Sequence, residues 1–329
     1  MVRRRNPDNR GSIPRPFIVD PPVVDPTPEG DWLDYDAEYT PSEAQAAAIA
    51  GVDSRIEIGG DMVAFTTYPT GVDDPATRNT SAWFDGLDFS CASHANDHYA
   101  SYPEYVGGVA ITPLHVLHDG HWLLAVGDEI AFVTADGNDT VVKRTIVAVT
   151  QHPDFTDYYP DLAIATLDSE LPATIAPAEI MPDDWRDWFP ALPKMTEELG
   201  RRALTDLDGT RLYRLPHIAF DQQERGHVGE VMFVGQMPNK ELWTHFIATR
   251  LPDTGTVRRD FYESATAGDC GSPSFLILND QPVLLNCVSG GYSGSGTSVV
   301  DYATWINGVV ALDGAYALQR VDLSGYVKA

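Results

Sequence analysis

The residues best suited to chemistry lie in a short glycine-flanked turn, 268–273, with the sequence Gly-Asp-Cys-Gly-Ser-Pro. Glycines on both sides of Cys270 permit a tight turn that leaves backbone N–H groups free on the side from which a substrate carbonyl would approach. A thiol presented in this way is a candidate nucleophile. The chain must then also supply a base for the thiol and a group that orients the base.

Two other segments offer those groups. His115 ends a strand-like apolar run and turn, 109–115, and Asp161 lies at the mouth of the apolar run 162–167. An imidazole can take the proton of a thiol, and a carboxylate can fix the tautomer of that imidazole. His115 and Asp161 are therefore the candidate base and orienting residue for Cys270.

The histidines also allow a different interpretation. His115, His118 and His121 are spaced three apart, a pattern that raises the possibility of a zinc site. Three histidines at this spacing do not share a face on a strand and turn, and no acidic or thiol ligand is tied to them, so the sequence favours no metal. We expect His94 and His98 to lie in a solvated loop.

The order of the short motifs resembles that of chymotrypsin-like (trypsin-like) peptidases. The turn 268–273 is similar to the family's Gly-Asp-Ser-Gly-Gly-Pro, with cysteine at the position of serine, as in viral cysteine peptidases of this fold. The other segments that resemble family motifs are Thr112-Pro113-Leu114-His115, His152-Pro153-Asp154-Phe155, Asp161-Leu162-Ala163, Val288-Ser289-Gly290-Gly291 and Tyr302-Ala303-Thr304-Trp305-Ile306.

This resemblance implies a cysteine endopeptidase that needs no metal or organic cofactor. Cys270 would be the nucleophile, His115 the general base and then acid, and Asp161 the orienting carboxylate. The backbone N–H groups of Gly268 and Cys270 would form the oxyanion hole, and hydrolysis of a protein or peptide substrate would pass through a thioacyl intermediate.

The resemblance also implies a substrate pocket and a role for the acid beside the nucleophile. Ser264 would lie at the base of the pocket, with Ser289 and Gly291 on its walls. The absence of an acid at the base argues against cleavage after Lys or Arg. Asp269 is expected to pair with an internal donor, which implies no zymogen step.

Strand-length apolar runs separated by Gly, Asp, Asn and Pro fill residues 62–300 and predict an antiparallel all-β fold. With the resemblance, this becomes a chymotrypsin-like double six-stranded antiparallel β-barrel with a short C-terminal helix at 302–312 and a Pro-rich N-terminal arm. We expect the arm with a short helix at 1–58, the first barrel at 59–175, the second barrel with its closing helix at 176–312, and a tail at 313–329. The predicted strands are 62–68, 106–112, 122–126, 129–134, 141–150, 162–167, 211–215, 229–234, 242–250, 274–278, 282–289 and 296–300.

Composition limits the partners. The chain carries 48 acidic and 22 Lys+Arg residues, a net charge of −26, which argues against nucleic acid or an anionic membrane as the main partner. Its three cysteines imply no disulfide framework. No signal peptide or transmembrane run is recognisable, so a cytoplasmic or virion-associated protein is expected.

The ends of the chain suggest a second class of function. The first 40 residues are proline-rich and change from basic to acidic, which is typical of an extended arm rather than a regular element. Such arms commonly join subunits. The alternative is therefore a catalytically weak or inactive peptidase-fold module that serves as a structural or attachment component of a larger assembly, such as a virus or phage particle.

Overall fold

The protein is mostly β, with two curled, half-barrel sheets and few helices. A computed structural model describes residues 40–67, 71–97, 107–155, 160–190, 211–239, 242–266, 268–289 and 294–329. The described elements belong to one unit, Tyr35–Ala329. Among the helices in these ranges, none combines the length and apolar character needed to cross a bilayer.

A two-stranded ribbon and a six-stranded sheet form the first half of the fold. The ribbon pairs β1 (Phe65–Thr67) with β2 (Thr77–Arg78). The sheet has the order β3-β6-β7-β8-β5-β4, and every neighbouring pair is antiparallel. Its strands are β3 (Ser93–Asn96), β4 (Val109–Thr112), β5 (His115–His118), β6 (Glu129–Val133), β7 (Val141–Gln151) and β8 (Ala163–Leu167).

An eight-stranded sheet forms the second half. The strands are β9 (Glu179–Ile180), β10 (Arg211–Phe220), β11 (Gly226–Asn239), β12 (Leu242–Arg250), β13 (Pro273–Leu278), β14 (Gln281–Cys287), β15 (Gly296–Thr297) and β16 (Gln319–Arg320). Their order is β15-β12-β11-β10-β13-β14-β9-β16, and β9 pairs in parallel with both β14 and β16. Asn279 and Asp280, both at positive φ, make the tight turn between β13 and β14, as their residue types favour.

Three α-helices lie in the described ranges: α1 (Glu43–Ile56), α2 (Val257–Asp260) and α3 (Ala303–Val310). Ser42 and Gln45 form a reciprocal capping box that fixes the start of α1. One side of α1 packs against β10 and β13 of the second sheet. Gly51 permits this approach, because a Cβ there would lie 2.6 Å from the carbonyl oxygen of Ile277.

The hydrophobic core is continuous across the two sheets. One cluster of buried side chains joins Val116 and Ile164 of the first sheet to Phe275 and Leu284 of the second. A second cluster lies under α1 and includes Trp185. The two sheets are thus held together by shared apolar burial, the main stabilising contribution in a fold of this size.

Several sequence predictions are confirmed in outline and others are wrong. The predicted strand 242–250 has the observed bounds of β12, and the closing helix is shorter than expected, at 303–310. The predicted strand 122–126 is irregular backbone, and β3 and β5 were not predicted. His94 lies in β3 with 2 % of its surface exposed, so its assignment to a solvated loop is wrong. His98 and residues 1–39 of the proposed arm lie outside the described residues.

Candidate functional site

The register between β5 and β8 brings a histidine and an aspartate together. His118, the last residue of β5, pairs with Ala163, the first residue of β8. The residues just after β5 therefore lie beside the residues just before β8. This places His121 next to Asp161, both as loop residues supported by adjacent strands.

The carboxylate of Asp161 is buried and accepts three hydrogen bonds from one short segment. Its Oδ1 accepts the backbone N–H groups of Gly120 at 2.7 Å and His121 at 2.8 Å, and its Oδ2 lies 2.6 Å from Nδ1 of His121. Asp161 is itself held by a hydrogen bond from its N–H to Oγ1 of Thr297 in β15, at 3.0 Å. These contacts fix the imidazole with Nδ1–H toward Asp161, which leaves Nε2 for another partner.

The side chain of Cys270 is also hydrogen-bonded to His121. The turn that carries Cys270 is anchored to the strand end after β14, where Gly271 donates to the carbonyl of Val288 at 2.8 Å. The first half of the fold also contacts the turn, because Gly107 donates to the carbonyl of Cys270 at 3.0 Å. A Cβ on Gly107 would lie 2.6 Å from backbone atoms of Ser272, so the close approach requires glycine.

The electrostatics of the site favour a protonated imidazole. Burial opposes the charged form of His121, but its hydrogen bonds to Asp161 and Cys270 and the nearby charge of Asp119 outweigh burial and raise its pKa to about 11. Burial raises the pKa of the Cys270 thiol, the hydrogen bond from His121 lowers it, and Asp119 raises it again, leaving it above its ordinary value. At neutral pH these shifts favour an imidazolium beside a neutral thiol, so the thiol must lose its proton before it can act as a nucleophile.

The predicted base, His115, is not part of this arrangement. Its Nδ1 lies 2.7 Å from Oγ1 of Thr112, and its Nε2 lies 3.0 Å from Oδ2 of Asp313. The prediction that His115 contacts Asp161 is therefore wrong. Thr112 and His115 pair across the β4–β5 turn, and β5 continues for three more residues before the chain reaches Asp161. The structure brings together Cys270, His121 and Asp161, and it places His115 elsewhere.

The turn at Cys270 has the backbone needed for an oxyanion site. Gly268 is buried with φ at +104°, a conformation that favours glycine. Within the described ranges, the N–H groups of Gly268 and Cys270 donate to no backbone carbonyl, whereas Asp269, Gly271 and Ser272 each do. The N–H groups of Gly268 and Cys270 are thus the candidate oxyanion donors beside the Cys270 thiol.

Asp269 pairs with internal donors, as expected. Its Oδ1 accepts the N–H of Gln222 at 3.1 Å and its Oδ2 accepts the N–H of Thr266 at 2.6 Å. Burial raises the pKa of Asp269 and these two N–H groups lower it, with a net rise. The carboxylate of Asp269 thus connects the turn 268–273 to the loop after β10.

The predicted pocket residues have separate environments. Ser264 is exposed, and its hydroxyl lies 3.1 Å from the hydroxyl of Tyr262. Ser289 lies just after β14, and its Oγ is shielded from solvent without a hydrogen-bond partner among the described residues. Gly291 lies outside the described residues. The proposed walls of the pocket therefore remain a prediction.

Two groups of side chains bring metal-ligand atom types together. Asp119, His121 and Cys270 each offer one such atom within 4.8 Å of the others, and so do Asp221, His227 and Glu263. In the first group, His121 is already hydrogen-bonded to Asp161 through Nδ1 and is also hydrogen-bonded to Cys270. In the second, Arg225 forms ion pairs with Asp221 and Glu263, so both carboxylates already have a cationic partner. The contacts of both groups are those of hydrogen-bonded or ion-paired clusters.

The motif 152–155 and the motif 302–306 contact each other at a place separate from Cys270. The ring of His152 lies 4.6 Å from that of Trp305 and 5.2 Å from that of Tyr302, measured between centroids. Phe155 reaches the site itself, because a Cβ on Gly120 would lie 3.1 Å from its ring. The segment 152–155 therefore connects the closing helix with the backbone that holds His121.

Sequence reasoning missed the contact of His121 with Asp161 and Cys270, although it considered this residue as a zinc ligand. The available signal was the run Asp-Gly-His directly after an apolar strand, where glycine permits close contact with a carboxylate. No protein-family model matches this chain, and no curated protein matches it either.

Proposed function

We propose that this protein is a cysteine endopeptidase with a chymotrypsin-like double β-barrel and a Cys270–His121–Asp161 triad. The observation that carries the proposal is the chain of hydrogen bonds from Cys270 through His121 to Asp161, whose second oxygen binds the backbone N–H of Gly120 and His121. A carboxylate that holds both the ring and the backbone of a histidine fixes the tautomer needed to serve a thiol.

The reaction would proceed in two halves. The Cys270 thiolate attacks the peptide carbonyl carbon, and the backbone N–H groups of Gly268 and Cys270 stabilise the resulting oxyanion, each donor contributing about 3 kcal/mol. Imidazolium His121 then gives its Nε2 proton to the leaving amine as the C–N bond breaks, which leaves a thioester. Neutral His121 next takes a proton from water, whose oxygen attacks the thioester, and the carboxylic acid product leaves as the thiolate returns.

Labelling with a peptidyl chloromethyl ketone tests this proposal. His121→Ala should slow labelling of Cys270 by about a hundredfold, since a positioned acid–base group typically contributes at least that much. The matched control is His115→Gln, which changes another buried histidine of the same segment and should leave the labelling rate within about threefold of wild type. Circular dichroism would confirm that both variants fold.

Equal, slow labelling of wild type and His121→Ala would contradict an activated thiol. Cleavage itself is measured with a mixed peptide library and mass spectrometry, using Cys270→Ala as the blank. Products that persist in Cys270→Ala would show that the peptidase activity does not belong to this site.

An inactive or weakly active module is the second candidate, and the raised pKa of Cys270 favours it, because burial disfavours the thiolate. The proposed attachment role uses the N-terminal arm, most of which lies outside the described residues. The same labelling separates the two candidates, since a module without enzymatic activity should label no faster than its His121→Ala variant.

A further inference from the structure

A second buried carboxylate lies at the same imidazole, and the mechanism above does not use it. Asp119 follows β5 directly and is fully buried. Its Oδ2 lies 3.4 Å from Nδ1 of His121, the nitrogen that already serves Asp161. One of its oxygens is also within 4.8 Å of the Cys270 sulfur.

Asp119 and Asp161 are placed differently. Asp161 accepts three short hydrogen bonds and so orients the ring. The oxygens of Asp119 accept no hydrogen bond of ordinary geometry from the described residues, although the N–H groups of Trp122 and of Asp119 itself lie close enough to affect its charge. The influence of Asp119 on the site is therefore mainly electrostatic.

Building on the proposed role of Cys270 as nucleophile, we propose that Asp119 restrains that nucleophile, because its carboxylate and the thiol compete for one proton beside His121. The charged and titratable groups that interact with Asp119 are His121 on its own loop, Asp161 before β8, Cys270 in the nucleophile turn and Cys287 in β14. Of these only His121 can be positive. A site with two carboxylates and one imidazolium has little capacity for a further anion.

The directions of the pKa shifts agree with this competition. Burial raises the pKa of Asp119, His121 lowers it, and Asp161 raises it. Asp119 in turn raises the pKa of Cys270. The resting site therefore keeps Cys270 as a thiol, which is less easily alkylated or oxidised than a thiolate.

The test measures alkylation of Cys270 by iodoacetamide as a function of pH, in the folded full-length protein, by mass spectrometry of the Cys270 peptide. Asp119→Asn should move the rate profile to lower pH and raise the rate near neutral pH on the order of tenfold, given a charge within 4.8 Å of the sulfur. Asp161 alone still holds the ring protonated, so the thiolate keeps its partner. A profile that superimposes on wild type, or moves to higher pH, would overturn the inference.

Asp161→Asn is the matched control, since it also removes one buried carboxylate at His121. This substitution weakens the contact that orients the imidazole of His121. Alkylation of Cys270 near neutral pH should therefore become slower, whereas Asp119→Asn should make it faster. If Asp119→Asn does not fold, wild type alone provides the test. Its thiol should titrate above the value of about 8.5 expected for the urea-unfolded chain, and a lower value would overturn the inference.

The two proposals can fail separately. A shifted alkylation profile in a protein that cleaves no peptide would leave the restraint by Asp119 intact and remove the peptidase. Peptide cleavage by a protein whose alkylation profile is unchanged by Asp119→Asn would support the peptidase and remove the restraint by Asp119.

Discussion

His94 should make this fold sensitive to acid. It lies in β3 with 2 % of its surface exposed, and neither ring nitrogen has a hydrogen-bond partner among the described residues. Burial, with a smaller effect of Arg78, lowers its pKa from 6.5 to about 3. The folded state therefore binds a proton on His94 less readily than the unfolded chain does. The full stability of the fold with neutral His94 is present above pH 6.5 and is lost progressively as the pH falls toward 3.

The size of the effect follows from the same shift. At about pH 4.5, protonation of His94 in the unfolded chain lowers the free energy of unfolding by about 2.7 kcal/mol. Each pH unit below the pKa of the unfolded chain contributes about 1.36 kcal/mol. His94→Phe keeps an aromatic ring beside Phe65, whose centroid lies 6.0 Å away, and removes the titration.

Urea unfolding at about pH 7.5 and about pH 4.5 measures the effect. The free energy of unfolding should fall less on acidification in His94→Phe than in wild type, by about 2.7 kcal/mol. Other groups titrate over this range, but they do so in both proteins and cancel in the difference. Equal losses in the two proteins would refute the assigned protonation of His94.

Four further outcomes are expected, for the turn 268–273 and its neighbour Gly107, for the closing helix and for the three cysteines. Gly107→Ala should lower the free energy of unfolding by about 1–3 kcal/mol and slow labelling of Cys270, because its Cβ would meet the backbone of Ser272 at 2.6 Å. Gly308→Ala, at an exposed helical site with open space, should instead raise the free energy of unfolding by up to about 1 kcal/mol in the same urea titration. Asp269→Asn should lower the free energy of unfolding by about 1.5–3 kcal/mol and slow labelling of Cys270, since the N–H groups of Gln222 and Thr266 lose a charged acceptor. Iodoacetamide at mildly alkaline pH should modify one of the three thiols in the native protein and all three in urea, because the other two are buried; rapid native modification of two or more would contradict that burial.

The sequence was informative where local chemistry determines structure. A strand-length apolar run predicted β12 with its observed bounds, and the short helix expected within 1–58 corresponds to α1. Polar strands were missed for a physical reason. Ser93–Asn96 of β3 carries no apolar signal, and its burial comes from neighbours that are distant in the chain.

The histidine that contacts Asp161 was mispredicted because a motif was matched without the turn that precedes the site. Thr112 and His115 have the right spacing, but Pro113 and Leu114 form a hairpin turn there, so His115 begins a strand. Identifying His121 required the antiparallel register of β5 with β8, which is a long-range pairing. Asp161 and Cys270 both contact His121, and each lies at a strand entry that the sequence marks clearly.

The hydrogen bonds from Gly107 to Cys270 and from Asp161 to Thr297 also have a consequence for the newly made chain. His121 and Asp161 leave the ribosome long before Cys270, and neither half of the fold contains a complete set of reacting groups. A nascent or half-assembled chain therefore lacks the assembled site, and its thiols react as ordinary exposed thiols. Cys287 of β14 becomes buried against β5, where its Sγ lies 3.8 Å from the carbonyl oxygen of Leu117. Loss of its alkylation during refolding would report the moment at which the two sheets dock, so pulsed alkylation could time that event.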